Sequence, residues 1–563
     1  MGFLNMTATY EGNKIPKLTK FLFPFVGIFR DACYALVGSF LLQYAINTGV
    51  LSSDKNEFNA QYGVITVAMV IALIWDGIND PIMGFIVEKF HFKGLGKFKP
   101  WILIGAVGNA IAVTCMFAIR PGNGWAFVGV MIGFYFLWDL FFTINDIGYW
   151  SMLPSLTDDD HERASITSRM TVCASIGGFT MTAACMLLPT LIPSIPSATM
   201  YLILAVSISI LFLLSQAALF FFCKERKEDP NQKKVSEETH FLDLFKVFGK
   251  DQQLRVAIIS MFLYYLASGV LTGGIGLNYY YLSLGYGAGR GGLVATIISV
   301  MYVAAMVSSQ AIYPFIAKKI SKQKILTITF IIQMVGFAGF LICNTPLFGD
   351  HALAYNKEMA VIPADLKDYF EMDFGIALGQ TMFMHYLFPF IFFFGMGMMY
   401  LAIMVMFQDA IDNHELVYGE RKESIISAWR PLDVKLSSAL LRLFQFLIFL
   451  IAGLDDAVSQ ISEAEKAHNV AAQGHIGEKK WVDYTFIETV IKIQQGTSAT
   501  SIRIAGILVV IILVGAIVAA YLLMHFGYKI DEQKHREIVA ELDKRYQANA
   551  ATEASAEPVS EAQ

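Results

Sequence analysis

The sequence predicts an all-α polytopic membrane protein of twelve transmembrane helices in two six-helix bundles, and three observations carry that prediction. Of its 563 residues 55% are hydrophobic and only 16% charged, with a mean hydropathy of +0.53; an ordinary soluble domain carries roughly 25% charged residues. Apolar runs of the ~20 residues needed to cross a hydrocarbon core of ~30 Å recur along almost the whole chain. Between the sixth and seventh runs lies a basic stretch, KERKEDPNQKKVSEETHFLDLFKVFGK at 224–250, which divides six from six.

Taken in order, the runs fall at 21–46, 62–88, 100–120, 125–149, 165–190, 198–223, 255–283, 291–316, 325–344, 381–407, 427–453 and 503–527. Backbone groups in lipid must be satisfied within each segment, and the alternating pattern of barrel strands is absent, so these runs read as helices. The polar first twenty residues, with Lys14, Lys17 and Lys20, are not followed by a small-residue cleavage site, so no removable signal peptide is expected. The division predicts an N-terminal bundle over 1–223, a central loop at 224–254, a C-terminal bundle over 255–527 and a tail at 528–563. Short lysine-rich loops after the second and eighth helices hint at a duplicated unit. With the N-terminus inside, 27 basic residues lie on the cytoplasmic side and 9 outside, while six fall within helices. This bias predicts both termini in the cytoplasm and a multi-pass protein of the cell (inner) membrane. Two outer loops are long, at 345–380 and 454–502, each read as a lid or as a solvated insertion. In the tail, DEQKHREIVAELDKR predicts an amphipathic helix followed by a disordered Ala/Glu/Ser stretch. The six cysteines are scattered and read as buried thiols.

Ionisable side chains at membrane depth cost at least roughly 2.5–3.5 kcal/mol each and so mark function. In the second helix, IWDGINDPIMG sets Asp76 and Asp80 one turn apart with Asn79 beside them, and Pro81 cannot donate to the Gly77 carbonyl. These are hard oxygen ligands suited to Na⁺, the only metal expected; two acids forced together can instead hold a proton. The plainer alternative is an Asp80 that caps a kinked helix. In the fourth helix, FLWDLFFTINDIGYWSMLP spaces Asp139, Thr143, Asp146 and Trp150 by 4, 3 and 4 residues, one stripe. A carboxylate accepts neighbouring sugar hydroxyls and an aromatic ring covers the apolar face of a pyranose; Tyr149 and Trp150 also suit interfacial anchoring. In the first helix, adjacent residues diverge by about 100°, so Asp31 is the expected ligand contact and Arg30 an ion-pair partner. Arg169, Arg430, Asp433 and Lys435 are further intramembrane charges, expected to bind solute or to form a charge network with Arg30 and Asp139.

Two long stretches carry a family resemblance. WDGINDPIMGFIVEKFHFKGLGKFKPWILIG and TINDIGYWSMLPSLTDDDHERASITSR, with DAIDNHELVYGERKESIISAWRPLDVK more loosely, resemble the glycoside–pentoside–hexuronide:cation symporters of the major facilitator superfamily. The resemblance implies a cation site of Asp76, Asn79, Asp80 and Thr143. It also implies a sugar site of Asp31, Asp146, Trp150, Arg169 and Lys435. Departures from the family pattern, namely Gly148 for a proline, Phe142 for a tyrosine, Asp139 for a glycine and Pro431 for a polar residue, leave the solute open.

The expected function is cation-coupled symport, by Na⁺ or H⁺, of a sugar or glycoside through alternating access, with no cofactor beyond the coupling ion. A lipid or lysolipid carrier and an exporter are the alternatives, since fold does not set direction. An enzyme is not expected: Asp76 and Asp80 share one helix, whereas a protease dyad faces across two. No GxxxxGK[ST] loop is present for direct ATP drive, and the basic GLGKFKPW loop suits gating or topology. The expected partners are the solute, the cation and the bilayer; nucleic acid and an obligate protein partner are not expected.

Overall fold

The computed structural model describes residues 9–10, 15–90, 92, 95–156, 160–192, 195–226, 241–272, 290–343, 380–419, 426, 429–475, 481 and 483–556. Among the described residues twelve helices are long and apolar enough to cross a membrane. The first span is α1 (Lys17–Phe25) and α2 (Gly27–Asn47), joined at Val26 beyond Pro24. Then follow α3 (Lys55–Lys89), α4 (Lys99–Ala118), α5 (Gly124–Leu156), α6 (Asp160–Leu191) and α7 (Ser197–Phe222). After an amphipathic α8 (Phe241–Lys250), the second bundle is built from α9 (Gln252–Thr272), α10 (Arg290–Ala317), α11 (Lys322–Cys343), α12 (Gln380–Tyr418), α13 (Trp429–Ala452) and α16 (Ala499–Leu522). Between the last two lie α14 (Asp455–Gln473) and α15 (Tyr484–Gly496), and α17 (Glu532–Ala556) follows α16.

Small residues set the helix spacings. A Cβ on Gly177 of α6 would overlap the carbonyl of Ile28 in α2, so these two helices touch backbone to backbone. In the second bundle a Cβ on Gly336 of α11 would lie 2.6 Å from the Phe392 nitrogen of α12. The five cysteines whose side chains are described, Cys33, Cys115, Cys173, Cys185 and Cys223, are free thiols.

The bundles meet toward the face the charge bias predicts to be outer. There α13 packs on α3, with the rings of Tyr62 and Phe446 perpendicular at 4.9 Å, and α10 packs on α6. The helix α14 covers this join. It turns off α13 through Gly453, whose φ of 66° suits glycine, and the acids Asp455 and Asp456 in its first turn favour a helix start. Asp455 accepts from Asn59 Nδ2 at 2.7 Å and faces Lys55 at 3.5 Å, while Asn469 donates to the Thr48 carbonyl at 3.1 Å. Glu465 is wholly buried and accepts from Ser197 Oγ at 2.7 Å. Gly49 (φ 73°) admits this approach, since a Cβ there would lie 2.6 Å from the Lys466 nitrogen. The predicted 454–502 insertion is thus, in its first part, a helix docked on the other bundle; the 345–380 loop lies almost wholly outside the described residues.

At the opposite face each bundle has bonds of its own. Strand β1 (Thr9–Tyr10) pairs in parallel with β2 (Glu225–Arg226). The Glu225 carboxylate accepts from the backbone nitrogens of Lys97, Phe98 and Lys99 at 2.6–3.1 Å, where α4 begins. That contact gives the GLGKFKPW loop a structural anchor. On the second bundle His535 of α17 meets Asp412 at 3.0 Å and Asp409 at 3.3 Å, and Lys322 pairs with Asp409. The tail departs from expectation in one respect: the alanine-rich segment predicted to be disordered continues α17 to Ala556, in keeping with alanine's helix propensity.

Candidate functional site

Three helices from two bundles, α3, α5 and α13, converge on one cluster of charges. From α13 the Lys435 ammonium lies 2.7 Å from Asp76 Oδ2 and also pairs with Asp80, both on α3. Thr143 Oγ1 of α5 donates to the other oxygen of Asp76 at 3.0 Å. Asn79 is buried beside them with its amide nitrogen without a partner. The one-turn spacing that put Asp76 and Asp80 on one face therefore builds a pocket of oxygen donors around a monovalent cation, supplied here by the protein itself. Among the described residues no group of three or more His, Cys, Asp or Glu side chains forms a metal centre.

One turn along α5 a second cluster begins. Arg30, buried, donates from Nη1 to Asp146 Oδ1 at 2.7 Å, and from Nε and Nη2 to the two oxygens of Asp31 at 3.1 and 3.2 Å. Its guanidinium lies over the rings of Tyr149, at 4.6 Å, and Trp150, at 5.7 Å. Asp31 and Asp146 are thereby held as acceptors with fixed orientation, and Trp150, 40% exposed, keeps a ring face beside them. Two acids, a fork of donors and an aromatic plane are the chemistry that a polyhydroxylated ring requires.

The matching family model, described as MFS/sugar transport protein, covers residues 54–469. The chain belongs to that family. Among its relatives, the raffinose carrier protein of Pediococcus pentosaceus is 22% identical over 532 residues, covering 92% of this chain and 70% of that protein. The lactose permease of Leuconostoc lactis is 24% identical over 454 residues, 76% of this chain and 62% of its own length. The chain therefore spans about two thirds of the length of these relatives. Among solved structures, a bacterial homologue of the human lysosomal transporter Spinster in an inward-facing, unoccupied conformation has a TM-score of 0.52 at 12% identity, covering 90% of this chain and 96% of that one. A D-xylose–proton symporter has a TM-score of 0.50 at 13% identity, covering 83% and 98%. At such identities the likeness is one of fold. The family and its relatives confirm the predicted symporter group within the major facilitator superfamily, a group of membrane transporters and not of enzymes.

Set beside that family pattern, the predicted residues divide. Asp76, Asn79, Asp80, Thr143 and Lys435 come together, as do Arg30, Asp31, Asp146 and Trp150. Lys435 lies on the cation carboxylates and not beside Trp150. Arg30 is the hub of its cluster, because its long stem curls back to the neighbouring Asp31 despite the angular divergence of their Cβ atoms. Arg169 is exposed on α6 and joins neither group. Arg430 is exposed and donates to Tyr400 OH at 3.1 Å, three residues before a buried Asp433 whose Oδ2 has no partner, so these two form no network with each other. Tyr149 is buried and donates to the Phe23 carbonyl at 2.8 Å, which rules out interfacial anchoring for it. Gly148 faces Ile102 of α4, behind the stripe.

Arg442 is the functional candidate that sequence reasoning passed over. It donates from α13 to Tyr135 OH at 3.1 Å and to the Gly38 carbonyl at 2.9 Å, tying the second bundle to α5 and α2. The signal was its place seven residues, two turns, beyond Lys435 on the same helix.

Proposed function

We propose that this chain is a cation-coupled carrier of a sugar or glycoside that works by alternating access, with both termini in the cytoplasm and import as its direction. The observation that supports this reading is the position of Lys435. An ammonium from the second bundle sits where a coupling cation would sit, between Asp76 and Asp80 of the first. An entering Na⁺ or proton competes with Lys435 for those carboxylates and so weakens the tie between α3 and α13. Thr143, bonded to Asp76, carries the change one turn along α5 to Asp146, where the Arg30 cluster receives the solute. The two occupancies are then linked, and each tightens the other by the same factor. The raffinose carrier and lactose permease relatives support a solute of the sugar class. Convergent charges with an aromatic plane favour it over a lipid, which calls for an apolar cleft.

Uptake of labelled lactose and raffinose into proteoliposomes, under imposed Na⁺ or H⁺ gradients, tests the proposal. The expected result is accumulation that follows one of the gradients and collapses with an ionophore. Accumulation that ignores both gradients overturns the coupling.

A further inference from the structure

Asp139 is the acid that departs from the family pattern, and its surroundings are unusual. It lies midway along α5, one turn before Thr143 and one turn after Tyr135, so that Tyr135, Asp139, Thr143, Asp146 and Trp150 form one stripe. It is 8% exposed, and its Oδ2 has no hydrogen-bond partner. The charged groups that act on it are Asp76 and Asp80 from α3 and Lys435 and Arg442 from α13; the phenol of Tyr135 stands one turn away on its own helix. Both cations are engaged elsewhere. Lys435 is held by Asp76 and Asp80, and Arg442 donates to a neutral phenol and a backbone carbonyl.

That choice of partners is informative. A buried carboxylate without a donor costs several kcal/mol. Arg442 already bonds to Tyr135, one helical turn from Asp139 on the same stripe of α5, yet no bond joins it to Asp139. Its donors go to Tyr135 and Gly38, and a neutral Asp139 asks for none of them.

We propose that Asp139 is a second coupling site, a carboxyl that carries a proton alongside the cation held by Asp76 and Asp80. The proposal rests on the alternating-access reading above and adds a second ion to it. The proton is taken from water on one side of the membrane and returned on the other. Both cations facing Asp139 belong to the second bundle, so rocking of α13 against α5 brings Arg442 or Lys435 onto the carboxylate, stabilises its ionised form and expels the proton.

Infrared spectroscopy of the full chain in lipid decides the occupancy without any solute. At neutral pH the carbonyl-stretch band of a protonated carboxyl is expected in the wild type and in Asp76→Asn, and to be lost in Asp139→Asn. Asp139→Glu, which keeps the acid, shifts that band and serves where the asparagine variant does not fold. A spectrum unchanged in both Asp139 variants overturns the proposal. In proteoliposomes with lactose or raffinose as the probe, the charge moved per solute is expected to halve in Asp139→Asn; an unchanged ratio also overturns it. If neither sugar enters, or if Asp76→Asn keeps full coupling, the reading of the Asp76/Asp80 site fails, and the infrared band still decides Asp139 by itself.

Discussion

Glu465 offers a perturbation whose size follows from its place on α14. Burial against the first bundle pushes its carboxyl up from the usual 4.5 to about 8, against a smaller opposing effect of the hydrogen bonds from Ser197. The docked helix therefore holds the proton more tightly than a free one. Its contribution is fully present below pH 4.5 and is lost as pH rises through about 8. At ~1.4 kcal/mol per pH unit, the whole displacement is worth on the order of 5 kcal/mol against docking. Asp455, Asn469 and the buried Ala457, Val458 and Ile461 keep the helix attached, so the expected effect is a loosening and not a release. Hydrogen–deuterium exchange in nanodiscs, corrected for the intrinsic rate, should show protection of 455–473 falling between about pH 4.5 and about pH 8 and level above that. Glu465→Gln should remove that dependence while leaving His468, which meets Asp483 at 3.0 Å, as an internal control. If wild type and variant lose protection in parallel, the carboxyl is not what holds the helix.

Three other outcomes are expected. Asp76→Asn should uncouple transport from the cation while sparing some solute binding, whereas Asp146→Asn, which removes the negative charge that Arg30 meets at 2.7 Å, should abolish binding; equilibrium binding of labelled lactose and raffinose to both variants separates the two roles, and equal mild effects would count against them. Lys435→Gln removes the internal competitor for Asp76 and Asp80, so half-saturation by the coupling cation should fall to lower concentration while transport slows, read by cation titration of the purified protein. Gly177→Ala forces a methyl group into the Ile28 carbonyl and should cost about 1–3 kcal/mol, seen as a lowered Tm in a fluorescence-detected gel-filtration scan.

The helices were legible because lipid leaves one way to satisfy a backbone, and length then fixes the count. The predicted span at 100–120 and α4, for example, differ by two residues at most at either end. Helical spacing likewise placed Asp76 with Asp80 and Thr143 with Asp146. What spacing cannot give is the rotation of each helix within its bundle, which depends on close approaches such as Gly177 against Ile28. Hence spacing did not show that Arg169 would stand exposed on α6, joined to neither cluster. Arg30 pairs as expected, but that it would bridge both Asp31 and Asp146, and that Lys435 would reach Asp76 and Asp80 from the other bundle, depends on long stems whose reach spacing does not give. The docking of α14 was invisible for a related reason: Glu465 has its partner Ser197 268 residues away.

The Glu225 clamp carries a consequence for how the protein is made. Its carboxylate closes the start of α4, and its strand pairs with Thr9 and Tyr10, so both contacts wait until residue 225 has left the ribosome. By then all six helices of the first half have been synthesised and none of the second has. The clamp is a closure that becomes possible between the two halves, and once made it joins the two ends of the first bundle. The second half then assembles beside a finished neighbour, with Asp76 and Asp80 already in place to receive Lys435.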